Sequence, residues 1–200
     1  TRNAHWLIDQ FAAFLPMAAG MDPKHATEAN LQTYFNTYYH HLQGLNDHFR
    51  VFIERCQNQE AQIQMLEDKF GADSGFVMEY YNGSHNYQMP LIEKTLLKIW
   101  QNHQRNLIQP VLRGHFYHRD TSNEYNNIRY NLTSTKTYMW LEVNKFKPLS
   151  DGQVAKRDIF TATFINNNID INFTEAHGID SLRVYLSDLM VDLTQPSKVF

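Results

Sequence analysis

Residues 32–47 of the chain have the sequence QTYFNTYYHHLQGLND. Aromatic and β-branched side chains are dense in this segment, which predicts a buried strand over Gln32–Leu42. The tetrapeptide GLND that follows, at residues 44–47, has the composition of a turn. The same arrangement recurs at residues 76–85, FVMEYYNGSH, where a predicted strand over Phe76–Tyr81 ends in the polar turn NGSH. Two strands, each ending in a polar turn, are therefore expected in the first half of the chain.

The segments after these turns are predicted helices. Residues 50–70 place apolar side chains among Glu and Gln, and Gly71 follows as a stop signal, so we expect an amphipathic helix there. A second helix is predicted over Leu91–His103, entered through Pro90, a residue favoured in the first turn. Strand, turn and helix repeated at these lengths are typical of a parallel α/β sheet. Both turns then lie at the carboxyl ends of the strands, where open α/β sheets place functional loops.

The second half of the chain changes character near Pro110. Its strand-like runs are short, and clusters of Asn, Asp and Gly separate them, which is typical of an all-β sandwich. We therefore predict an α/β protein of two domains, a parallel sheet with helices over residues 1–110 and a β-rich, sandwich-like module over residues 111–200. The strand-like runs are Thr137–Val143, Asp158–Ile165, Ile169–Phe173 and Leu182–Leu186.

Composition narrows the class of protein. The chain has 200 residues, a mass of 23.6 kDa and a net charge of −3 from 18 basic and 21 acidic residues, so it lacks the basic footprint of a nucleic-acid-binding protein. The single cysteine, Cys56, excludes an internal disulfide and a cysteine-based zinc cluster. No apolar run approaches the roughly 18 residues that a membrane-spanning helix needs. Neither nucleic acid nor a membrane is therefore an expected partner.

Two residues in the predicted strand-end turns have the chemistry of a catalytic pair. Asp47 follows the first strand and His85 follows the second, so an acid and a histidine are expected at one edge of the sheet. A carboxylate beside a histidine holds the imidazole in one tautomer and stabilises the imidazolium that forms when the histidine takes a proton. The structural alternative is that Asp47 only forms the turn and His85 is only a loop residue.

The order strand, Gly-x-x-Asp, helix, strand, Gly-x-His, helix resembles the last third of an α/β-hydrolase domain, where the acid and the histidine follow two late strands. Residues 11–20, FAAFLPMAAG, resemble that family's segment after the nucleophile helix, and residues 91–105 resemble its closing helix. The resemblance covers about residues 1–110 and is to the esterase and peptidase-like branch, especially its bacterial forms. Residues 178–193 resemble the β-rich tail of those enzymes.

This resemblance implies a serine hydrolase that cleaves an ester or peptide substrate without a cofactor or a metal. Asp47 would orient His85, and His85 would act first as general base and then as general acid. The nucleophile motif Gly-x-Ser-x-Gly is absent, so the resemblance places the serine upstream of Thr1, with residues 3–14 as the helix that follows it. The expected partner is then an upstream hydrolase segment, in the same chain or a separate one. A secreted or periplasmic location is favoured.

Other residues offer weaker candidate chemistry. Ser84 adjoins His85, but neighbouring side chains in an extended loop point apart, and Ser74 lies in a loop at the opposite edge of the sheet. His115 and His118, three residues apart, would share one face of a helix and could bind zinc there, but no HExxH motif or cysteine accompanies them.

The rival class of function is a non-catalytic protein that binds a carbohydrate or a protein partner. Aromatic residues make up 14% of the chain and could line a groove, although aromatic side chains also fill strand faces. His40 and His41 fall within the first predicted strand, so one is expected inside and one outside, both as structural histidines. The groove candidates are Tyr80, Tyr81, Tyr87, Tyr138 and Trp140.

Overall fold

The computed structural model describes residues 12–17, 20–23, 26–85, 88–119, 137–150, 155–175, 178–196 and 198–199. Within these residues the chain is a mixed α/β protein with three α-helices and ten strands. It forms two compact units, Thr1–Asn106 and Leu107–Phe200. The three helices belong to the first unit, and seven of the strands belong to the second.

The first unit is built on a sheet of three strands, β1 (Ala13–Phe14), β2 (Tyr38–Gly44) and β3 (Phe76–Tyr81), in that order. Both pairs of neighbouring strands are parallel, which confirms the predicted parallel arrangement. The bounds of β3 match the predicted strand at both ends. The middle strand β2 is buried from its second residue onward, as expected for a parallel strand covered on both faces.

The predicted strand Gln32–Leu42 is wrong in its first part. Helix α1 (Glu28–Leu31) runs directly into a 3-10 helix at Gln32–Phe35, and β2 begins only at Tyr38. The side chain of Thr33 donates a hydrogen bond to the Asn30 carbonyl at 2.6 Å, a local bond of the kind that competes with strand pairing. Thr33 and Tyr34, two of the residues that predicted the strand, are buried here, but in a helical turn.

The predicted helix at the start of the chain falls mostly outside the described residues. Only its residues 12–14 are described, and the last two, Ala13 and Phe14, form β1, where they pair with Tyr38 and Tyr39 of β2. The prediction of helix is therefore wrong at these two positions, because backbone pairing with β2 determines the conformation there.

The two longer helices agree with their predictions. Helix α2 (Arg50–Phe70) has the predicted bounds and buries Cys56, Gln59, Ile63 and Leu66, which recur at helical spacing along one face. It ends at Gly71, whose φ of 59° is the left-handed conformation that glycine adopts without strain. Helix α3 (Met89–Asn102) has Pro90 in its first turn. No helix in the described part of the chain is long and apolar enough to cross a bilayer.

The second unit contains strands and no helix among its described residues. The strands are β4 (Val111–Arg119), β5 (Thr137–Tyr138), β6 (Leu141–Phe146), β7 (Ala155–Ile165), β8 (Asn168–Glu175), β9 (Ile179–Val184) and β10 (Lys198–Val199). One sheet has the order β10-β8-β7-β4 and the other has the order β5-β6-β9. All neighbours are antiparallel except β10 and β8.

Two turns in the second unit refine the strand predictions. The predicted run Thr137–Val143 is two strands joined by a tight turn, in which Met139 has a φ of 54°. Asn166 and Asn167, with φ of 50° and 62°, form the two-residue turn between β7 and β8. Positive φ at both central residues is the geometry of a type I′ hairpin, and asparagine tolerates it better than most residues.

Aromatic side chains connect the two sheets of this unit. The rings of Tyr138 and Phe160 meet edge to face with centroids 5.3 Å apart, and a Cβ at Gly114 would collide with the Tyr138 ring. The helix face that a zinc site at His115 and His118 would need is not formed, because both residues lie on strand β4. An odd spacing on a strand puts side chains on opposite faces. The described residues contain no group of three or more side chains suited to a metal ion.

Candidate functional site

The carboxyl ends of β2 and β3 bring Asp47 and His85 together. The backbone amides of Leu45 and Asn46 donate to the carbonyls of Tyr81 and Gly83, each at 2.9 Å, so the two turns run side by side beyond the strands. An oxygen of Asp47, Oδ2, lies 2.8 Å from Nδ1 of His85. The two residues that the sequence singled out are therefore in direct hydrogen-bond contact.

Glycine at position 44 permits this close approach of the two turns. Gly44 is the last residue of β2, and a Cβ there would lie 2.5 Å from the Gly83 carbonyl oxygen and closer still to that of Ser84. Real Cβ atoms do not tolerate such distances from a backbone oxygen, so any larger residue would push the turns apart. The pairing of Asp47 with His85 thus depends on the missing side chain at Gly44.

The Asp47 carboxylate is fully buried and has three hydrogen-bond donors. The Phe49 amide donates to Oδ1 at 2.8 Å, and the Gln43 side chain donates to Oδ2 at 3.2 Å, in addition to the His85 contact. Burial alone would raise the pKa of Asp47, but the hydrogen bonds from His85, Phe49 and Gln43 outweigh it and hold the pKa below its usual value. The side chain is consequently a buried, oriented carboxylate at neutral pH.

His85 is held on one side and accessible on the other. Its Nδ1 atom contacts Asp47, its side chain is 35% exposed, and its Nε2 atom has no hydrogen-bond partner among the described residues. The imidazole stacks on the Phe52 ring at a centroid distance of 5.4 Å and meets the edge of the Phe49 ring at 5.5 Å. A second histidine, His48, is largely exposed; its Nδ1 atom lies 4.0 Å from Oδ1 of Asp47, and its ring meets the His85 ring edge to face with centroids 5.9 Å apart.

Neither serine near the histidine in sequence forms a nucleophile–base contact. Ser74 lies at the opposite end of β3, as expected, and its hydroxyl donates to Oε1 of Glu67 at 2.6 Å. The described contacts of Ser84 include its backbone carbonyl, which accepts a hydrogen bond from the Tyr81 hydroxyl, but no bond between its hydroxyl and His85. Among the described residues, Asp47 and His85 are therefore in contact, and neither of these two serine hydroxyls is hydrogen-bonded to the imidazole.

The two histidines of β2 are both buried, so the prediction that one of them lies outside the core is wrong. His40 lies 2.7 Å from Glu79 and 3.0 Å from the Tyr38 hydroxyl. His41 lies 3.7 Å from the Cys56 sulfur through Nε2, and its Nδ1 has no hydrogen-bond partner in the part of the chain that the structure describes. Burial lowers the pKa of His41 to about 4, which keeps the ring neutral. Burial likewise raises the pKa of the Cys56 thiol to about 12, so the thiol stays protonated at neutral pH.

The aromatic groove expected from the sequence is not formed by its second-half members. Tyr138 and Trp140 are almost completely buried in the core of the second unit. Tyr80 and Tyr81 of β3 are half-buried, and Tyr87 lies outside the described residues. Burial of this kind is the ordinary role of aromatic side chains in a β-rich core.

Sequence reasoning missed Gln43, Phe49 and Phe52 as neighbours of the pair. Phe49 precedes α2 and Phe52 lies in its first turn. Residues three apart at the start of a helix share one side, so two aromatic residues directly after a candidate acid are a usable signal. Gln43 carried no such signal, because an amide in a buried strand has a role only once its partners are known.

Comparison with known protein families, curated proteins and solved structures finds no significant match to this chain.

Proposed function

We propose that this chain supplies the acid and the histidine of a serine hydrolase that cleaves an ester or peptide bond. The observation that carries the proposal is the 2.8 Å contact between the buried Asp47 carboxylate and Nδ1 of His85, formed at the ends of adjacent parallel strands. The order acid then histidine along the chain is also that of the α/β-hydrolases, which the sequence resembles. The nucleophilic serine is proposed to lie upstream of Thr1, in the same chain or a separate one.

In the proposed reaction His85 moves one proton at Nε2. The serine oxygen attacks the substrate carbonyl carbon while its proton passes to Nε2, and a tetrahedral intermediate forms. The bond from carbon to the leaving oxygen or nitrogen then breaks, and Nε2 returns the proton to that atom. A water molecule repeats both steps on the acyl-enzyme and regenerates the serine. Asp47 accepts from Nδ1 throughout, which orients the ring and stabilises its charged form.

The strand order of the first unit supports the same proposal. His85 follows the edge strand β3, and Asp47 follows its inner neighbour β2. Among the described residues, β1 on the other side of β2 pairs with β2 alone. The resemblance implies that the strand leading to the serine would pair along this edge of β1, which would bring the serine to the same end of the sheet as His85.

The test is ester hydrolysis by the full-length protein and its His85→Ala variant. We expect the wild type to hydrolyse a short p-nitrophenyl ester and to react with a fluorophosphonate probe, and the variant to lose kcat on the order of 10⁴-fold or more. His103→Ala is the matched control, because this histidine follows the last residue of α3, stacks on the Tyr38 ring and contacts neither Asp47 nor His85 among the described residues. Normal turnover by His85→Ala would refute the proposal. No reaction of the wild type with either reagent, assayed together with any chain that copurifies with it, would favour a binding protein instead.

A further inference from the structure

An aromatic wall, formed by Phe49 and Phe52, stands beside the imidazole of His85. The Phe52 ring stacks on the imidazole at an interplanar angle of 27°, and the Phe49 ring meets it at 77°. The two phenylalanine rings also contact each other edge to face, with centroids 5.7 Å apart. The proton-carrying residue of the proposed mechanism thus has apolar surface on two sides.

Packing alone does not account for the wall, because Phe49 is 48% exposed. Its backbone amide already holds the Asp47 carboxylate, and that contact needs no particular side chain. The Phe49 ring also contacts the exposed His48 ring, with centroids 4.0 Å apart. A large aromatic side chain that stays half in water beside an accessible imidazole is the pattern of a surface that binds an apolar ligand.

The mechanism determines which part of a substrate would meet this wall. Nε2 of His85 must come within hydrogen-bond distance, about 2.6–3.2 Å, of the leaving atom in order to protonate it. The wall rings have centroids only 5.4 and 5.5 Å from that of the imidazole. A substituent on the leaving atom therefore lies within reach of the rings, whereas the carbonyl and acyl group lie nearer the serine.

We infer that Phe49 and Phe52 bind the leaving group and select esters or amides whose alcohol or amine part is aromatic or bulky and apolar. This inference rests on the proposed function, since the leaving group is located through the proton that His85 delivers to it. Phe49 is the specificity residue to test, because it is the more exposed of the two and because Phe52 also supports His85 by stacking.

The experiment compares benzyl acetate with ethyl acetate as substrates of the full-length protein. Both esters give the same acetyl-enzyme and a primary alcohol, so they differ chiefly in the ring of the leaving group. We expect Phe49→Ala to lower the benzyl-to-ethyl ratio of kcat/KM about two- to tenfold, the range of a single aromatic pair. Phe49→Leu, which keeps apolar bulk but removes the ring, replaces Phe49→Ala should the latter fail to fold.

Val51→Ala is the matched control, because Val51 is a similarly exposed apolar residue two positions further on and has no contact with the His85 ring among the described residues. Its benzyl-to-ethyl ratio should equal that of the wild type. An equal loss for both esters in the Phe49 variants would mean that Phe49 only positions His85, which overturns the inference and leaves the proposed function standing. Failure of the proposed function gives a different result, in which wild type and His85→Ala do not differ on either ester.

Discussion

Replacement of Asp47 by Asn removes the charge of a buried side chain that accepts hydrogen bonds from three donors. Asparagine presents one acceptor oxygen and one NH2 group, so whichever way it turns, its NH2 group faces a donor. The Phe49 amide is backbone and cannot turn away. Gln43 is held as well, since its NH2 group also donates to the Gly44 carbonyl at 3.1 Å and its oxygen accepts from the Cys56 thiol at 3.4 Å.

The size of the effect follows from these contacts. A buried donor left unsatisfied costs about 1–3 kcal/mol, and the remaining hydrogen bonds lose the extra strength that a charged acceptor gives them. We therefore expect Asp47→Asn to lower the free energy of unfolding by about 2–4 kcal/mol at neutral pH. At ordinary urea sensitivity this corresponds to a shift of about 1–2 M in the unfolding midpoint.

The loss should depend on pH in a defined direction. The pKa of Asp47 is held below its usual value in the folded chain, so the unfolded state binds the proton first as pH falls. The stability that the ionised carboxylate contributes is then complete above about pH 4, the ordinary value for Asp, and decreases as pH falls through the folded-state pKa. The difference between wild type and Asp47→Asn should accordingly be constant near neutral pH and shrink below about pH 4.

The assay is urea unfolding of the full chain monitored by far-UV circular dichroism, because the described helices, which dominate this signal, all lie in the first unit with Asp47. Asp68→Asn is the matched control. Asp68 is an exposed carboxylate on α2 whose contact is a surface bond with Gln64, so its replacement should change stability by less than about 0.5 kcal/mol. An Asp47→Asn variant as stable as the control at neutral pH would refute the argument that the carboxylate is a buried, oriented acceptor.

Two further predictions test the surroundings of the pair. Gly44→Ala should lower the free energy of unfolding by about 1–3 kcal/mol, because its Cβ meets the Gly83 carbonyl, and should shift the proton NMR signal of the His85 Nδ1–H; an unchanged signal would contradict the close approach of the turns. His41→Gln should flatten the dependence of stability on pH between about 6.5 and 4, where the unfolded chain takes up a proton that folded His41, with its pKa of about 4, does not. As pH falls through this range, the free energy of unfolding of the wild type should decrease by up to about 1.4 kcal/mol per pH unit more than that of the variant. Parallel curves of urea midpoint against pH for the two proteins would refute the assignment of His41 as a buried neutral ring.

Segments with a strong local signal were predicted well. Helix α2 and strand β3 have the predicted bounds, because the amphipathic pattern ending at Gly71 and the compact run Phe76–Tyr81 leave little choice of conformation. Residues 32–35 were predicted wrongly for the opposite reason. Their composition suits a buried strand or a buried helical turn equally, and the local hydrogen bond of Thr33 and the packing of Tyr34 against Tyr39, at 4.4 Å between ring centroids, select the turn.

The histidines of β2 show a similar limit. Alternation along a strand predicts that neighbouring side chains face opposite ways, and His40 and His41 do so. This alternation does not show whether other residues cover both faces of the strand. In the folded chain both are buried, one beside Glu79 and the other beside Cys56, and each partner comes from a different element of the first unit.

The order of residues along the chain was enough to place an acid and a histidine after two neighbouring parallel strands, since parallel strands end at the same edge of a sheet. It could not determine that Asp47 and His85 touch, that the carboxylate is fully buried, or that Phe49 and Phe52 flank the imidazole. Those features depend on the register of β2 against β3 and on the close approach of the turns at Gly44. Both are contacts between residues about forty positions apart, and their distances are set by the packing of the whole unit rather than by any local pattern.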